Sequence, residues 1–349
     1  MRNSSTTRIL FAGGGTGGHI TPIISLYNYI KEEDKNIKAL WLGERDSLEQ
    51  EAALKNNIEF HDVAAGKIRR YFDVRNFYEP LKNLTGFFQA LYFILKFKPT
   101  LIFSKGGYVS LPVCLAAFVL RKNIYIHESD TVMGSANSFA SRFATKVFFS
   151  FPNKKIDGKK YIHSGPLVNP ELLDGLKNMK PDENERLSVL VIAGSQGSQK
   201  IFTNLLEILP DCKDIDFNII LGTQNSDFKS RFDNYLNVKT HGYISQAELG
   251  KVMKNSDIAI TRGSSTLWEL YYFGIHSIII PLKATGGNHQ THNGEYFKKE
   301  FESDLLDEDS DTLNLEIFRK LQSYKSLRKA KLNLEGFLDG LKKIESEIT

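Results

Sequence analysis

The sequence predicts an α/β protein of two doubly wound domains, and three observations support this prediction. Short apolar runs alternate with helix-length segments along the 349 residues, a pattern typical of buried parallel strands joined by crossover helices. Several of these runs end in a turn of glycine or other small residues. A stretch rich in proline and lysine divides the chain near its middle. We therefore expect one parallel sheet in each half.

The apolar runs place the predicted strands. In the first half they are Arg8–Ala12, Lys38–Leu42, Thr100–Ser104, Asn123–His127 and Lys146–Ser150. In the second half they are Ser188–Ala193, Asp216–Leu221, Asp257–Thr261 and His276–Pro281. A final helical region is predicted over Leu313–Glu347. The predicted domains are 1–164, a linker at 165–182, a second domain at 183–335, and a C-terminal helix at 336–349 that could brace the first domain.

Composition excludes several classes of protein. Hydrophobic residues make up 41% and charged residues 25% of the chain, which is ordinary globular usage and excludes global disorder. Two distant cysteines, Cys114 and Cys212, cannot form a disulfide framework or a cysteine-based zinc site. The longest apolar run, Leu111 to Leu120, is about half the length that spans a bilayer, and Ile9–Ala12 is too short for a signal peptide. We expect a soluble intracellular protein.

Charge is distributed unevenly. Residues 1–162 hold 23 Lys and Arg against 14 Asp and Glu, whereas residues 163–349 hold 22 against 27. This asymmetry suggests an anionic partner for the first half, and nucleic acid, an anionic membrane and plain solvated lysines all fit the charge. Residues 67–98 mix seven basic residues with many aromatic and aliphatic ones, which favours an interfacial membrane anchor. Because much of Phe87–Leu95 should be core, we place this anchor in Ile68–Leu84. The sequence contains no recognisable nucleic-acid-binding module.

Four glycine or small-residue turns follow predicted strands. They lie at Gly13–Gly18, Ser104–Gly107, Gly194–Gly197 and Arg262–Ser265. Such turns let backbone N–H groups approach a ligand, and the helix that follows favours negative charge. Because ligands of open α/β sheets bind at the carboxyl ends of strands, we expect a ligand cleft between the domains. The first turn also matches a dinucleotide-binding pattern with Glu44 as the ribose partner, but this short motif alone is weak.

Longer motifs carry a more specific resemblance. They are Gly14–His19, Lys105–Ser110, His127-Glu128, Gly194–Gly197, Gly242–Ile244, Gly263–Thr266, Glu269, His289-Gln290 and Asn293. In this order they resemble the MurG family, glycosyltransferase family 28. The resemblance implies a GT-B fold, with two Rossmann-like domains facing across a cleft. It also implies inverting, metal-independent transfer of GlcNAc from UDP-GlcNAc to the MurNAc 4-hydroxyl of lipid I, giving lipid II.

The resemblance also implies a location and a biological role. A protein of this family would be peripheral on the cytoplasmic face of the inner membrane, bound to the anionic membrane surface. It would serve peptidoglycan biosynthesis, and through it cell shape and cell division. No cofactor, metal ion or nucleic acid is implied. The alternatives are a related transferase that moves a UDP-sugar to another lipid, and a UDP-sugar-binding protein without turnover.

The resemblance assigns the donor-binding residues. Glu269 would accept hydrogen bonds from the ribose hydroxyls, Ile244 would meet the uracil, and Gln290 would contact GlcNAc. The diphosphate would be held by Ser195 and by the N–H groups of Gln196 and Gly197, which stabilises the UDP leaving group. The remaining donor-side residues are Thr16, Gly17, Gly18, Asp130, Asn169, Ser265 and Thr266.

The acceptor side would be formed by the glycine turns of the first domain. Its expected residues are Gly14, Gly15, Gly106, Gly107 and Tyr108. His19 is the leading candidate for the base that takes the acceptor proton, because a helix N-terminus would lower its pKa and keep it neutral. It could instead cap the turn or bind acceptor phosphates. Glu128 is the rival base, or a strand-end carboxylate satisfied by N–H groups.

Two further features remain open. The Asp-x-Asp pairs Asp214/Asp216 and Asp309/Asp311 offer minimal ligands for a divalent ion, although such pairs are common by chance. The chain departs from the family pattern at Pro166, Asn169, Ser129, Asp130 and Asn288. We expect these departures to affect sugar and acceptor recognition rather than the fold.

Overall fold

The chain forms two compact units. The computed structural model describes residues 7–33, 36–67, 79–176, 186–194, 196–283, 288–327, 330 and 332–348. One unit combines Met1–Asn169 with Leu338–Thr349, and the other is Pro170–Phe337. The domain limits expected from the sequence stay a prediction.

The first unit is built on a seven-stranded sheet. Its strands are β1 Arg8–Gly13, β2 Lys38–Gly43, β3 Glu59–Asp62, β4 Leu101–Gly106, β5 Asn123–Glu128, β6 Lys146–Phe149 and β7 Tyr161–His163. They are parallel and lie in the order β3-β2-β1-β4-β5-β6-β7. The chain winds outward in both directions from the β1–β4 pair. The carboxyl ends of β1 and β4 therefore mark the switch point at which ligands of such sheets bind.

Helices cover both faces of this sheet. They are α1 Gly17–Glu33, α2 Leu48–Lys55, α3 Glu79–Phe97, α4 Ser110–Val119 and α5 Ser135–Ala140. Alternate residues of β1 enter different cores, as the pleat of a strand requires. Ile9 and Phe11 pack with Ile23 of α1, whereas Leu10 packs with Val113 of α4. Both faces of the sheet are thus buried, which explains why its central strands are fully apolar.

The second unit is built on a six-stranded sheet. Its strands are β8 Leu187–Ile192, β9 Ile215–Ile220, β10 Val238–His241, β11 Ile258–Thr261, β12 His276–Ile279 and β13 Asp304–Leu305. They are parallel in the order β10-β9-β8-β11-β12-β13. The α-helices are α6 Glu171–Asp174, α7 Gln199–Ile208, α8 Phe228–Phe232, α9 Gln246–Lys254, α10 Thr266–Tyr272, α11 His289–Phe301 and α12 Leu313–Ser323. The switch point here lies between β8 and β11.

The last helix returns to the first unit. It is α13, Asp339–Ile348, and its buried Leu341 and Ile344 join the core around Ile23. Tyr125 of β5 donates a hydrogen bond of 2.9 Å from its hydroxyl to the Glu347 carbonyl oxygen. The single helical region expected over Leu313–Glu347 is therefore two helices, α12 and α13, that belong to different units.

Helix α3 presents an apolar stripe to solvent. Its buried face consists of Gly86, Ala90, Ile94 and Phe97 together with the end residue Glu79. Five large apolar residues lie on the exposed face, each between 53% and 61% exposed: Leu81, Leu84, Phe88, Tyr92 and Leu95. Part of Phe87–Leu95 is core, as expected, but the exposed stripe extends to Leu95. Ile68–Tyr78 of the expected anchor lie outside the described residues.

Neither unit carries a membrane-spanning helix among its described residues, since none is both long and apolar enough. The two parallel-sheet α/β units confirm the predicted fold class.

Candidate active site

Two glycine turns meet at the switch point of the first unit. Gly13 at the end of β1 pairs in register with Gly106 at the end of β4. Gly107 has φ of +84°, and a Cβ atom on it would lie 2.9 Å from the Gly14 carbonyl oxygen and 3.5 Å from Nδ1 of His19. A side chain there would be strained and crowded. Glycine at this position therefore allows the two predicted acceptor turns to touch.

His19 lies in the first turn of α1 with a defined ring orientation. Its Nδ1 atom is 2.9 Å from the Gly14 carbonyl oxygen. Because a carbonyl accepts and does not donate, Nδ1 carries the hydrogen, and Nε2 of the neutral ring keeps its lone pair. The pKa of His19 is lowered, first by burial and then by the Lys105 ammonium group. Sequence reasoning attributed this lowering to the helix N-terminus.

A buried carboxylate supports the first turn. Glu49 of α2 is fully buried, and it accepts hydrogen bonds from the N–H groups of Gly15, at 3.1 Å, and Glu44, at 3.2 Å. Glu44 in turn accepts a hydrogen bond from the Tyr108 hydroxyl, and this bond occupies the side chain that a dinucleotide reading would assign to ribose. Sequence reasoning missed Glu49. Its one available signal was an acidic residue in the first turn of the helix that follows β2.

The Glu128 carboxylate accepts three hydrogen bonds from N–H donors. It accepts from the N–H of Asp130 at 3.1 Å, the N–H of Gly134 at 3.0 Å and Nδ2 of Asn137 at 2.9 Å. Burial raises the pKa of Glu128, the Lys105 ammonium opposes the rise, and Asp130 adds to it. This is the geometry of a carboxylate that orders the loop after β5.

The other expected residues of the first unit lie in three places. Thr16, Gly17 and Gly18 form the start of α1, where the Thr16 carbonyl accepts from the N–H of His19 at 3.0 Å. Asp130 is half-buried after β5, and Asn169 is buried at the end of the unit.

In the second unit, a turn after β8 is packed tightly against the end of β9. Gly197 has φ of +74°, and a Cβ atom on it would lie 2.1 Å from the Leu221 carbonyl oxygen. Asn225 donates from Nδ2 to the Gln196 carbonyl at 2.5 Å. Ser198 then caps α7 by accepting from the N–H of Ile201. Ser195 lies outside the described residues. The turn presents Gln196 and Gly197 at the start of a helix, as a phosphate site requires.

A buried arginine connects this turn to three other strand ends. Arg262, which follows β11, donates from Nη2 to Ser198 Oγ at 2.7 Å. It donates from Nη1 to Glu308 at 2.7 Å and to the Ile280 carbonyl at 2.9 Å. Glu308 also accepts from the N–H of Lys283 at 2.7 Å. Sequence reasoning singled out neither the role of Arg262 nor Glu308, because the contacts join residues 18 to 64 positions apart.

The turn after β11 packs on helix α11. Asn293 donates from Nδ2 to the Gly263 carbonyl at 3.0 Å. Gln290 lies one turn earlier, with its backbone against Gly263, and its Oε1 accepts from the N–H of Leu282 at 2.9 Å. The structure therefore brings Gln290 and Asn293 to the turn that leads through Ser265 into α10, where Thr266 and Glu269 lie.

Glu269 carries a carboxylate without a charged partner among the described residues. It is half-buried in the first turn of α10. Burial alone raises the pKa of Glu269 to about 7. Such a carboxylate is available to accept hydrogen bonds from a ligand. Ile244 is half-buried on the loop between β10 and α9. A capping box of Ser245 and Glu248 fixes the first residue of α9.

Three of the four carboxylates in the Asp-x-Asp pairs form ion pairs with basic side chains. Asp214 pairs with Lys325 at 2.7 Å, and Asp216 pairs with Arg186 at 3.2 Å. Asp309 pairs with Lys200 at 2.7 Å. Within the described part of the chain, no three His, Cys, Asp or Glu side chains cluster as metal ligands do.

Two protein-family models match the regions of the chain that contain these glycine turns. The glycosyltransferase family 28 N-terminal domain matches residues 9–149, and the C-terminal domain of the same family matches residues 188–335. The chain belongs to glycosyltransferase family 28. As a member of that family it is a glycosyltransferase.

Two family 28 relatives are similar over nearly the whole chain. Both are named UDP-N-acetylglucosamine–N-acetylmuramyl-(pentapeptide) pyrophosphoryl-undecaprenol N-acetylglucosamine transferase. The protein of Clostridium kluyveri is 33% identical over 97% of this chain and 97% of its own length. The protein of Clostridium perfringens is 34% identical over 96% of this chain and 93% of its own length.

A solved structure supports the same fold. The crystal structure of Acinetobacter baumannii MurG covers 98% of this chain and 99% of its own, with a TM-score of 0.70 and 20% identity. This likeness confirms the GT-B fold that the family 28 resemblance implied.

Proposed function

We propose that this protein transfers GlcNAc from UDP-GlcNAc to the MurNAc 4-hydroxyl of lipid I, forming lipid II with inversion at C1. The observation that carries the proposal is the similarity, over 97% of the chain, to a relative named for this transfer. The position of His19 and the glycine turns of both units support it. The reaction belongs to peptidoglycan biosynthesis, on which cell shape and cell division depend.

The first unit supplies the acceptor chemistry. The glycine turns that end β1 and β4 offer backbone N–H groups to the acceptor diphosphate. The acceptor oxygen attacks C1 of the sugar as its proton passes to Nε2 of His19. The Gly14 carbonyl holds Nδ1–H of the ring at 2.9 Å and stabilises the imidazolium that forms. Glu128 orders the loop after β5 and takes no proton.

The second unit supplies the donor chemistry. Gln196 and Gly197, which precede α7, and Ser195 are the residues that we assign to the UDP diphosphate. Glu269 accepts hydrogen bonds from the ribose hydroxyls, Ile244 meets the uracil, and Gln290 contacts the sugar. The bond from C1 to the diphosphate oxygen breaks with the electron pair leaving on UDP. N–H groups and the helix N-terminus stabilise this charge without a metal ion.

The exposed stripe of α3 supports a peripheral association with the cytoplasmic face of the membrane. Leu81, Leu84, Phe88, Tyr92 and Leu95 repeat along one helix face, as in helices that lie in a bilayer interface. The flanking positions include Lys82, Lys96 and Lys98, and residues 1–162 carry an excess of positive charge. We propose that this stripe enters the acyl boundary of an anionic bilayer while the lysines meet its headgroups.

The test is a transfer assay with purified protein, radiolabelled UDP-GlcNAc and lipid I in detergent. We expect a labelled lipid product that contains one GlcNAc in β linkage. Parallel reactions with other UDP-sugars, and with a lipid diphosphate that lacks MurNAc, test the specificity. Transfer of another sugar, or transfer to the other lipid alone, would contradict the proposed substrates. Binding of UDP-GlcNAc without transfer would contradict the proposed activity.

A further inference from the structure

Lys105 is a lysine buried at the centre of the first unit's candidate site. It is the fifth residue of β4 and is 1% exposed. Its Nζ donates to Oγ of Ser129 at 2.9 Å. Burying an ammonium group is costly unless it is hydrogen-bonded and compensated. The position therefore calls for a function other than solubility or packing.

The turn that follows Lys105 passes close to the imidazole of His19. Lys105 is followed by Gly106 and Gly107, and the Cβ position of Gly107 lies 3.5 Å from Nδ1 of His19. On the β1 side, the Cβ position of Gly13 lies 3.0 Å from Cβ of Lys105. Lys105 is thus packed between the two glycine turns against which the ring of His19 rests.

Three charged side chains face His19 from three different elements. Lys105 of β4 disfavours the protonated ring, while Asp130 after β5 and Glu49 of α2 favour it. Burial lowers the pKa of Lys105, and the negative charges of Glu128 and Asp130 oppose this lowering. Burial is the largest cause of the lowered pKa of His19, and Lys105 is the charged side chain that lowers it further.

We propose that Lys105 is a positioning residue for His19: its buried ammonium group, held by Ser129 beside the glycine turns, keeps the imidazole neutral and ready to accept a proton. The inference rests on the proposed function, in which His19 is the base. It assigns the deprotonation of that base to a charge on β4 rather than to the helix N-terminus alone.

The direct test is the pKa of His19, measured by NMR from the pH dependence of its ring signals. A His19→Asn spectrum identifies these signals among those of the eight histidines. In Lys105→Met we expect the pKa of His19 to rise by about one unit, an ordinary size for the effect of one neighbouring charge. Lys105→Arg keeps the charge and should stay near the wild-type value. An unchanged pKa in Lys105→Met overturns the proposal.

Ser129→Ala separates charge from hydrogen bonding. It removes the acceptor of the Nζ hydrogen bond and leaves the ammonium group in place, so the pKa of His19 should stay close to that of the wild type. A rise as large as that in Lys105→Met would mean that the loop after β5, and not the charge, controls the ring. That result would also overturn the proposal.

A measurement on the wild-type protein keeps the proposal testable if Lys105→Met does not fold. The NMR signals of the Lys105 side chain report whether Nζ is charged over the pH range in which His19 titrates. We expect it to be charged throughout, and a neutral amine in that range overturns the proposal.

Kinetics provides a second readout. The acidic limb of the pH profile of kcat/KM should move to higher pH in Lys105→Met, by the amount seen in the NMR titration, and should not move in Lys105→Arg. If the wild-type protein transfers no GlcNAc, the proposed function fails, but the NMR result still decides the electrostatic relation between Lys105 and His19.

Discussion

Arg262 and Glu308 form a buried ion pair, with 2.7 Å between Nη1 and Oε2 and side chains 9% and 7% exposed. The pair joins the ends of β11 and β13, and Arg262 extends the connection to Ser198 at the start of α7. Through these contacts the turn of Gln196 and Gly197 is tied to the strand ends beside it. The shape of the proposed diphosphate site therefore depends on an ion pair outside the residues assigned to the diphosphate.

Replacing Glu308 with alanine should destabilise the second unit strongly. The change leaves Arg262 charged, buried and without its carboxylate, and such a loss costs about 3–5 kcal/mol. The free energy of unfolding in urea measures the effect. Asp307→Asn is the matched control, because Asp307 is the adjacent carboxylate and forms an exposed pair with Lys283. Equal stabilities of the two variants would contradict the role assigned to Glu308.

Replacing Glu269 should weaken donor binding. Above pH 7, where Glu269 is mostly ionised, Glu269→Ala removes the acceptor of two proposed ribose hydrogen bonds, each worth roughly 1.5–3 kcal/mol. We expect the KM for UDP-GlcNAc to rise at least about tenfold, with a smaller effect on kcat. Glu295→Gln, which changes an exposed glutamate of α11, is the control. An unaltered donor KM in Glu269→Ala would be inconsistent with the ribose assignment.

Glu269 should also make stability depend on pH. Its pKa is about 7 in the folded protein, above the value of about 4.3 expected in the unfolded chain. Between these values the folded state holds a proton that the unfolded state has lost, so stability falls as pH rises from about 4 to 7. Glu269→Gln removes this contribution, and its stability relative to wild type should be higher at pH 8 than at pH 5. If the stability difference between Glu269→Gln and wild type were the same at pH 5 and pH 8, that result would argue against the raised pKa of Glu269.

Replacing His19 should affect the chemical step. His19→Ala is expected to lower kcat about 10²–10⁴-fold, the usual contribution of a general base. UDP-GlcNAc affinity should be nearly unchanged, because the nucleotide is assigned to the second unit. If His19 instead binds acceptor phosphate, the variant would chiefly raise the lipid KM. The acidic limb of the pH profile of kcat would then persist in His19→Ala. If the same limb were absent in Glu128→Gln, Glu128 would be the base.

Membrane binding should depend on the exposed face of α3. A variant with Phe88→Ser and Tyr92→Ser should bind vesicles of anionic phospholipid much more weakly in a sedimentation assay. Leu54→Ser is the matched control, since Leu54 is 63% exposed but lies on α2. Equal binding of both variants would exclude the α3 stripe as the membrane contact.

The central strands could be read from the sequence, whereas the edge strands could not. All nine predicted runs are strands in the structure, within a residue or two at most ends. In the described part of the chain, the missed strands are β3, β7, β10 and β13, and each is an edge strand of its sheet. Glu59–Asp62 has no fully buried residue, so it lacks the continuous apolar run by which the central strands are recognised.

The site shows the same division between local and distant signals. Glycine turns are local, and the sequence placed them at the ends of β1, β4, β8 and β11. The residues that support those turns come from elsewhere in the chain: Glu49 reaches Gly15 across 34 positions, and Asn225 reaches Gln196 across 29. A side chain of this kind has no sequence pattern of its own, because its contact exists only after the fold has formed.

The return of α13 to the first unit has a consequence for synthesis. Pro170–Phe337 is one uninterrupted stretch, whereas the other unit is assembled from two pieces separated by it. A nascent chain that ends at Asn169 lacks Leu341 and Ile344, which are fully buried beside Ile23 in the finished protein. Although domains generally fold in the order in which the ribosome makes them, the first unit here cannot be completed until the second has been translated in full.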